Sequence, residues 1–341
     1  MKSKTVNNVI FAVSFLLFLF ILYRYGFGEF VANVQKVGFK LLPIIGVWLG
    51  VYVLNTCALR LVAGRDLAHR IGLGRLFALL VSSFSLNYIT PFVALGGEVY
   101  KTNVLMEYTD APRAASTVAN YYSLHVLSHV LFWMLGLVYF VFNVQMTGDL
   151  VQILLMIGVF IVAMISLFYA IFYRNFLSGA VGFLARIIRP KSLGGKLRAA
   201  QPGVEKTAAQ MKEFYVSRRG SFLLGLLAEL SARLFSCVEI MIILSAIDIE
   251  MTFGQAMFFV GLSSLLLNLL FFIPLQMGSR EGIFYMIMTT VGISSGVGVY
   301  ISLITRIREL AWIFIGLMFL PMNKIRTRQH SKRNPAPEVG E

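Results

Sequence analysis

The chain has 341 residues, of which 58% are hydrophobic and 13% charged, with a mean hydropathy of +0.78. A soluble domain of this length needs charge over its whole surface, and 30 basic and 16 acidic residues bunched between long apolar runs do not supply it. Composition therefore excludes a water-soluble globule, and the formal charge of +14 is better matched to anionic lipid headgroups than to nucleic acid.

A helix needs about 20 apolar residues to cross the hydrocarbon layer. In chain order, spans are expected at Asn8–Tyr23, Leu41–Val62, Ser116–Phe142, Leu150–Tyr173, Ser221–Ile247 and Val297–Leu320. The first has no small-residue cleavage pattern after it and reads as a retained span, not a signal peptide. Two further apolar regions, Leu76–Met106 and Thr252–Gly292, are too long for one span and are broken in the middle by proline and glycine.

Basic residues in short loops stay on the cytoplasmic side. Arg60, Arg65, Arg70 and Arg75 face only Asp66; residues 174–220 carry ten basic side chains against Glu205 and Glu213; the tail holds Lys324, Arg326, Arg328, Lys332 and Arg333. The loops Asn143–Asp149 and Asp248–Glu250 have no Lys or Arg. The first set is expected inside, with both termini, and the second outside; Arg24, Lys36 and Lys40 fit poorly in a loop that must then be outside. Region 76–106 must leave and return to the inner face, and region 252–292 must do so from the outer face. The expected fold is thus an all-α polytopic membrane protein with about six full spans and two oppositely oriented interrupted or re-entrant hairpins. These form an inverted repeat, about 8–142 and 150–320, within one transmembrane domain over 1–325, followed by a disordered basic tail at 326–341.

Such repeats place a transporter's binding site at their interrupted helices. Pro91, Gly96 and Gly97 break the first hairpin, and Pro274 and Gly278 the second; each proline is followed seven residues on by a glutamate, Glu98 and Glu281. His125 and Arg308 each lie 27 residues beyond those glutamates. Half-helices beginning at such breaks offer N-termini that favour an anion.

An ionisable side chain at mid-membrane costs on the order of 2.5–3.5 kcal/mol, so each needs a reason. Besides Glu98, Lys101, Arg280 and Glu281, the spans contain Glu229, Arg233, Glu239, Arg306, Arg308 and Glu309. Glu229–Arg233 and Arg306–Glu309, at i,i+4 and i,i+3, are spaced to pair. The plainer reading is that such pairs only lock helices together. The alternative is a cavity for a phosphate-bearing or zwitterionic headgroup, gripped by arginine forks. His125 and His129 share a face and add a group that titrates near neutrality, or simply pack by hydrogen bonds. Asn87 and Asn268 occupy the first arms of the hairpins, where they can cap or hydrogen-bond the broken helices. No third ligand accompanies the histidines, so no metal is expected; Cys57 and Cys237 read as small core residues.

Residues 176–188 place apolar side chains on one side, as in a helix on the cytoplasmic leaflet or an extension of the span before it. Residues 190–220, with Pro190, Gly194-Gly195 and Pro202-Gly203, read as a linker and a short helix over Glu205–Arg218. No nucleotide-binding motif is found, so no cofactor is expected.

Pro91-x4-Gly96-Gly-Glu98 with Lys101, then Pro274-x3-Gly278-x-Arg280-Glu281-Gly282, then Arg306, resembles the membrane region of the lysylphosphatidylglycerol synthase/flippase superfamily over roughly 5–325. The resemblance implies a multi-pass protein of a bacterial or archaeal cytoplasmic membrane that moves or presents a lipid, with the hairpins forming its headgroup cavity. Only 21 residues follow Leu320, so the soluble aminoacyl-transfer domain is not expected. The substrate-binding set is Glu98, Lys101, His125, Glu229, Arg233, Arg280, Glu281, Arg306, Arg308 and Glu309, and the partner a lipid with an anionic or zwitterionic headgroup; homo-oligomerisation stays open. The expected activity is flipping or binding of a phospholipid or polyprenyl-phosphate-linked lipid, not enzymatic. The alternatives are a lipid-modifying membrane enzyme, which the four scattered aspartates disfavour, and an accessory subunit.

Overall fold

The computed structural model describes residues 35, 37–89, 96–143, 148–173, 191–270, 276, 278–290 and 292–333. The span over 8–23, the leaflet helix at 176–188, Pro91 and Pro274 lie outside them. Among the described residues the regular elements are all helical. They are α1 (Leu41–Ala63), α2 (Arg65–Ile71), α3 (Leu73–Ile89), α4 (Gly96–Leu105), α5 (Ala111–Asn143), α6 (Gly148–Tyr173), α7 (Lys191–Ser217), α8 (Arg219–Ser245), α9 (Phe253–Leu269), α10 (Ser279–Thr290) and α11 (Ser295–Arg333).

Two described stretches are long and apolar enough to cross a membrane, Gly38–Ala63 and Ala111–Asn143; α2 and α3 count as a third only if taken as one span bent by 84°. Gly72 makes that bend at φ 80°, a left-handed conformation that costs a glycine little. Helices α8 and α11 have the length, but Glu229, Arg233 and Glu239 on one and Arg306, Arg308 and Glu309 on the other dilute their apolar content. Their charges are the same ones that make the interior chemically interesting.

The second arms of both broken regions are short. At 1.5 Å rise per residue, the 10 residues of α4 reach about 15 Å and the 12 of α10 about 18 Å, against a hydrocarbon layer of about 30 Å. Neither can cross alone.

Helix contacts knit the two halves together. α1 packs along α8, α3 along α11 and α5 along α9, while α4 and α10 each pack between the helices that flank them in sequence. Close approach is secured by small residues: a Cβ on Gly316 of α11 would land on Ser85 Oγ of α3, and one on Gly97 of α4 would strike the Ser83 carbonyl. Ser82 and Ser85 add hydroxyl bonds to the Gly316 and Ile313 carbonyls, at 2.9 and 3.1 Å.

Residues 191–217 form one helix instead of the expected linker and short helix. Pro202 and Gly203 are tolerated because packing on α5 buries Met211, Phe214 and Tyr215 and outweighs their low propensity. At its end, Arg218 donates to the Leu61 and Val62 carbonyls at 2.6 and 3.1 Å, satisfying free acceptors in the last turn of α1. The last helix runs on to Arg333, past the expected start of the tail. Cys57 and Cys237 are free thiols, and Cys237 is buried.

Candidate functional site

The apolar core is divided. One cluster gathers the second half of α1 with α2, α3 and the first half of α5. The other gathers the second halves of α5 and α8 with α9, α10 and the start of α11. Several of the ionisable residues lie where one cluster gives way to the other. On α5, His125 and His129 fall between Leu124 and Val130; on α11, Arg308 and Glu309 fall between Ile307 and Trp312; on α8, Glu229 falls between Ala228 and Leu230. A polar seam thus runs between two greasy bodies.

On the α10–α11 side the charges are tightly paired. Arg280 gives Nη1 to both oxygens of Glu309, at 2.8 and 2.9 Å, and Nε and Nη2 to the Gln276 side-chain oxygen. Glu309 also accepts from the Tyr88 hydroxyl of α3 at 3.0 Å, so one carboxylate ties together elements of both broken regions. Arg306 donates Nε and Nη2 to Glu281 Oε1 at 3.0 and 2.8 Å, and Nη2 to the Gln276 carbonyl at 3.2 Å. Arg308 donates to Glu239 at 2.8 and 3.2 Å and stacks 3.8 Å from the Trp48 ring, whose indole N–H donates to the same carboxylate at 2.7 Å.

Gln276 holds this arrangement from an unusual backbone position, φ 54° for a residue with a side chain. Such conformations are kept where the surroundings enforce them. Here the enforcement comes from two arginines bonded to the same residue.

On the α4–α5–α8 side the pairing is looser. Lys101 meets Glu98 at 2.8 Å and lies 4.8 Å from the Tyr121 ring centroid. His125 Nδ1 lies 2.8 Å from Glu229, and Arg233 Nη2 lies 2.7 Å from His125 Nε2 and 3.0 Å from Nδ1. Glu98 Oε2, Glu229 Oε1, Arg233 Nε, the Tyr52 hydroxyl and the side-chain oxygens of Asn55 and Asn120 are buried with no hydrogen-bond partner, and so is Ser279 Oγ of α10. An orphaned buried polar atom costs about 1–3 kcal/mol, so several in one region mark a place built to meet water or a ligand.

The structure thus brings the ten predicted site residues to one seam but re-pairs them. Glu229 and Arg233 do not pair with each other, because both reach across to His125 on α5. Glu309 takes Arg280, and Arg306 takes Glu281, in place of the local Arg306–Glu309 pair. Each of these interhelical carboxylate pairs closes to 2.8 Å. Asn87 caps its break as expected, accepting from the Gly97 N–H at 2.7 Å. Asn268 is exposed and takes the other expected role, donating to the Ser264 carbonyl of its own helix. The N–H of Gly278 is taken by Glu281, three residues on, as in half of a capping box. At both half-helices, therefore, a side chain of the protein already takes one of the N-terminal donors that an anion was expected to use.

Tyr88, Trp48, Glu239, Tyr52 and Gln276 belong to the seam and were missing from the predicted set. Glu239 carried the signal of an unexplained charge in an apolar run; the other four have no such mark. Among the described residues no group of His, Cys, Asp and Glu could hold a metal ion.

A family described as the lysylphosphatidylglycerol synthase TM region matches residues 9–316. No curated protein and no solved structure matches the chain.

Proposed function

The chain belongs to the lysylphosphatidylglycerol synthase transmembrane-region family, and on that premise we propose that it carries a phosphate-bearing lipid between leaflets. The observation that carries this reading is that Glu98 Oε2, Glu229 Oε1 and Arg233 Nε are buried without a partner around Lys101 and Arg233. Arg233 and Lys101 bind the headgroup phosphate, Glu98 and Glu229 balance their charge, and the lipid tails stay in the bilayer. Arg280, Arg306, Arg308 and Glu309 serve as the frame against which the site moves, because their hydrogen bonds are already committed within the protein.

The paired contacts of α3 with α11 and α5 with α9 support an inverted repeat in which α1, α3, α4 and α5 correspond to α8, α9, α10 and α11. The short second arms α4 and α10 support re-entrant hairpins. The basic faces at 60–75 and 174–220 lie on the cytoplasmic side of an inner membrane, and the lipid crosses chemically unchanged. The test reconstitutes the full chain in vesicles containing phosphatidylglycerol with a fluorescent nitrobenzoxadiazole headgroup and follows bleaching by an impermeant reductant. Wild type exposes inner-leaflet probe to the reductant, and Arg233→Gln and Lys101→Gln do not. Equal bleaching with wild type, both variants and empty vesicles would exclude the reading.

A further inference from the structure

Deepening that reading, we propose that an anionic headgroup enters the seam together with one proton, which Glu98 takes on its unpartnered carboxylate oxygen. The ligand depends on the proposed function, whereas the proton site depends only on the charges of the seam and their bonds.

Among the described residues the charges of the seam balance. Five cations, Lys101 with Arg233, Arg280, Arg306 and Arg308, stand against five glutamates, the four of the predicted set and Glu239. With both histidines neutral the sum is zero. A phosphodiester brings one negative charge, and a charge moved from water into a low-dielectric interior is costly unless it is compensated. One proton taken up with the headgroup restores the balance. It passes from a hydronium ion to a carboxylate oxygen: one O–H bond forms, the water that carried the proton is released, and no other covalent bond changes.

The hydrogen bonds select the carboxylate. Glu239 has both oxygens engaged by Arg308 and Trp48, and Glu309 by Arg280 and Tyr88. Glu281 gives one oxygen to Arg306 and Ser302 and the other to the Gly278 N–H. Only Glu98 and Glu229 keep a buried oxygen without a partner. The Glu229 side chain is fully buried with its other oxygen held by His125, whereas the Glu98 side chain is 15% exposed, so a proton from water reaches Glu98 first. Its Oε1 meets Lys101 at 2.8 Å and Asn87 of α3 at 3.4 Å. The other titratable groups facing this pair are Tyr121, Tyr122 and His125 of α5 and Glu229 of α8, so Lys101 is the one cation among them. An ammonium has three donors, and a phosphate can therefore join Lys101 without displacing Glu98. It then stands beside a carboxylate of like charge. A proton on Oε2 removes that repulsion and turns an orphaned acceptor into a donor for a phosphate oxygen. Headgroup and proton thus strengthen each other's binding by the same factor.

The test titrates short-chain, ether-linked phosphatidylglycerol into the full chain in micelles near neutral pH. Calorimetry in two buffers of different ionisation heat counts the protons bound with each lipid. Wild type is expected to take up close to one, with affinity rising about tenfold per unit of acidification. The infrared band of a protonated carboxyl should appear as lipid binds, and the ether linkage keeps ester carbonyls out of that region. Glu98→Gln, which mimics the protonated side chain, is expected to bind without proton uptake and without that band. Glu98→Asp is expected to keep the uptake and to move the band. Wild-type binding with no proton uptake, with or without sodium, overturns the proposal. So does uptake by Glu98→Gln equal to wild type, or a band that Glu98→Asp leaves in place. If uptake and band behave as stated yet no fluorescent lipid crosses in vesicles, the translocation reading falls and the proton site stands. If lipid crosses while binding takes up no proton, translocation stands and the proton site falls.

Discussion

Replacing Glu239 with Ala removes one carboxylate that two buried groups share. Arg308, 4% exposed, loses both of its bonds to that carboxylate, and the Trp48 indole loses the acceptor 2.7 Å from its nitrogen. The nearest remaining carboxylate, Glu309, is 3.9 Å from Arg308 Nη1 and already serves Arg280 and Tyr88. Breaking a buried pair costs about 3–5 kcal/mol, and stranding an indole N–H adds about 1–3 kcal/mol. With overlap between the two, about 4–6 kcal/mol is expected. Replacing Glu239 and Arg308 together with Leu removes the stranded charge and leaves only the indole cost, about 1–3 kcal/mol. Reversible unfolding of the full chain in mixed micelles, followed by circular dichroism, measures both. A single variant that loses less than about 1 kcal/mol, the scale of an exposed pair, or a double variant as damaged as the single one, would refute the reasoning.

Gly316→Leu forces α3 and α11 apart at Ser85; a loss of at least about 1–3 kcal/mol is expected in the same unfolding measurement. Arg218→Ala strips two charge-assisted bonds from the end of α1; faster amide exchange in the last turn of α1 and a loss of about 1–3 kcal/mol should follow. Asp110, at the start of α5, accepts from Lys206 of α7 at 2.7 Å, and that hydrogen bond holds its carboxyl below the usual range. A depressed folded value means that the pair's contribution is complete above the unfolded value of about 3.9 and is lost as pH falls through the folded one. Amide protection of residues 203–216 should therefore step down in acid for wild type, and Asp110→Asn should flatten that step.

Helix positions were legible because apolar length is a one-dimensional property. The expected Leu41–Val62 span became Leu41–Ala63, and Leu150–Tyr173 became Gly148–Tyr173. The helices flanking both broken regions end and begin around them, α3 at Ile89 with α4 at Gly96 and α9 at Leu269 with α10 at Ser279, while the prolines expected to make the breaks lie outside the described residues. Residues 191–217 were misread for the complementary reason. Pro202 and Gly203 advertise a break, and only contact with α5 makes a continuous helix pay.

At the site, the charged residues were found because each is an anomaly in an apolar run, but their partners were not. Local spacing favoured Glu229 with Arg233 and Arg306 with Glu309, whereas the folded chain joins Glu229 to His125 and Arg306 to Glu281 across helices. Spacing within a helix says which side chains can meet on that helix and nothing about what a neighbouring helix offers. Tyr52, Trp48 and Tyr88 escaped notice because an aromatic residue in an apolar span is ordinary until its polar tip is placed.

The central claim is that a lipid phosphate enters the seam at Arg233. Electron cryomicroscopy of the full chain in nanodiscs of phosphatidylglycerol tests it most directly. The account predicts headgroup density between the two apolar clusters, within hydrogen-bond reach of the Arg233 guanidinium, with Arg308 still stacked on Trp48. Lipid density confined to the outer surface, with Arg233 still bonded to His125, would contradict it.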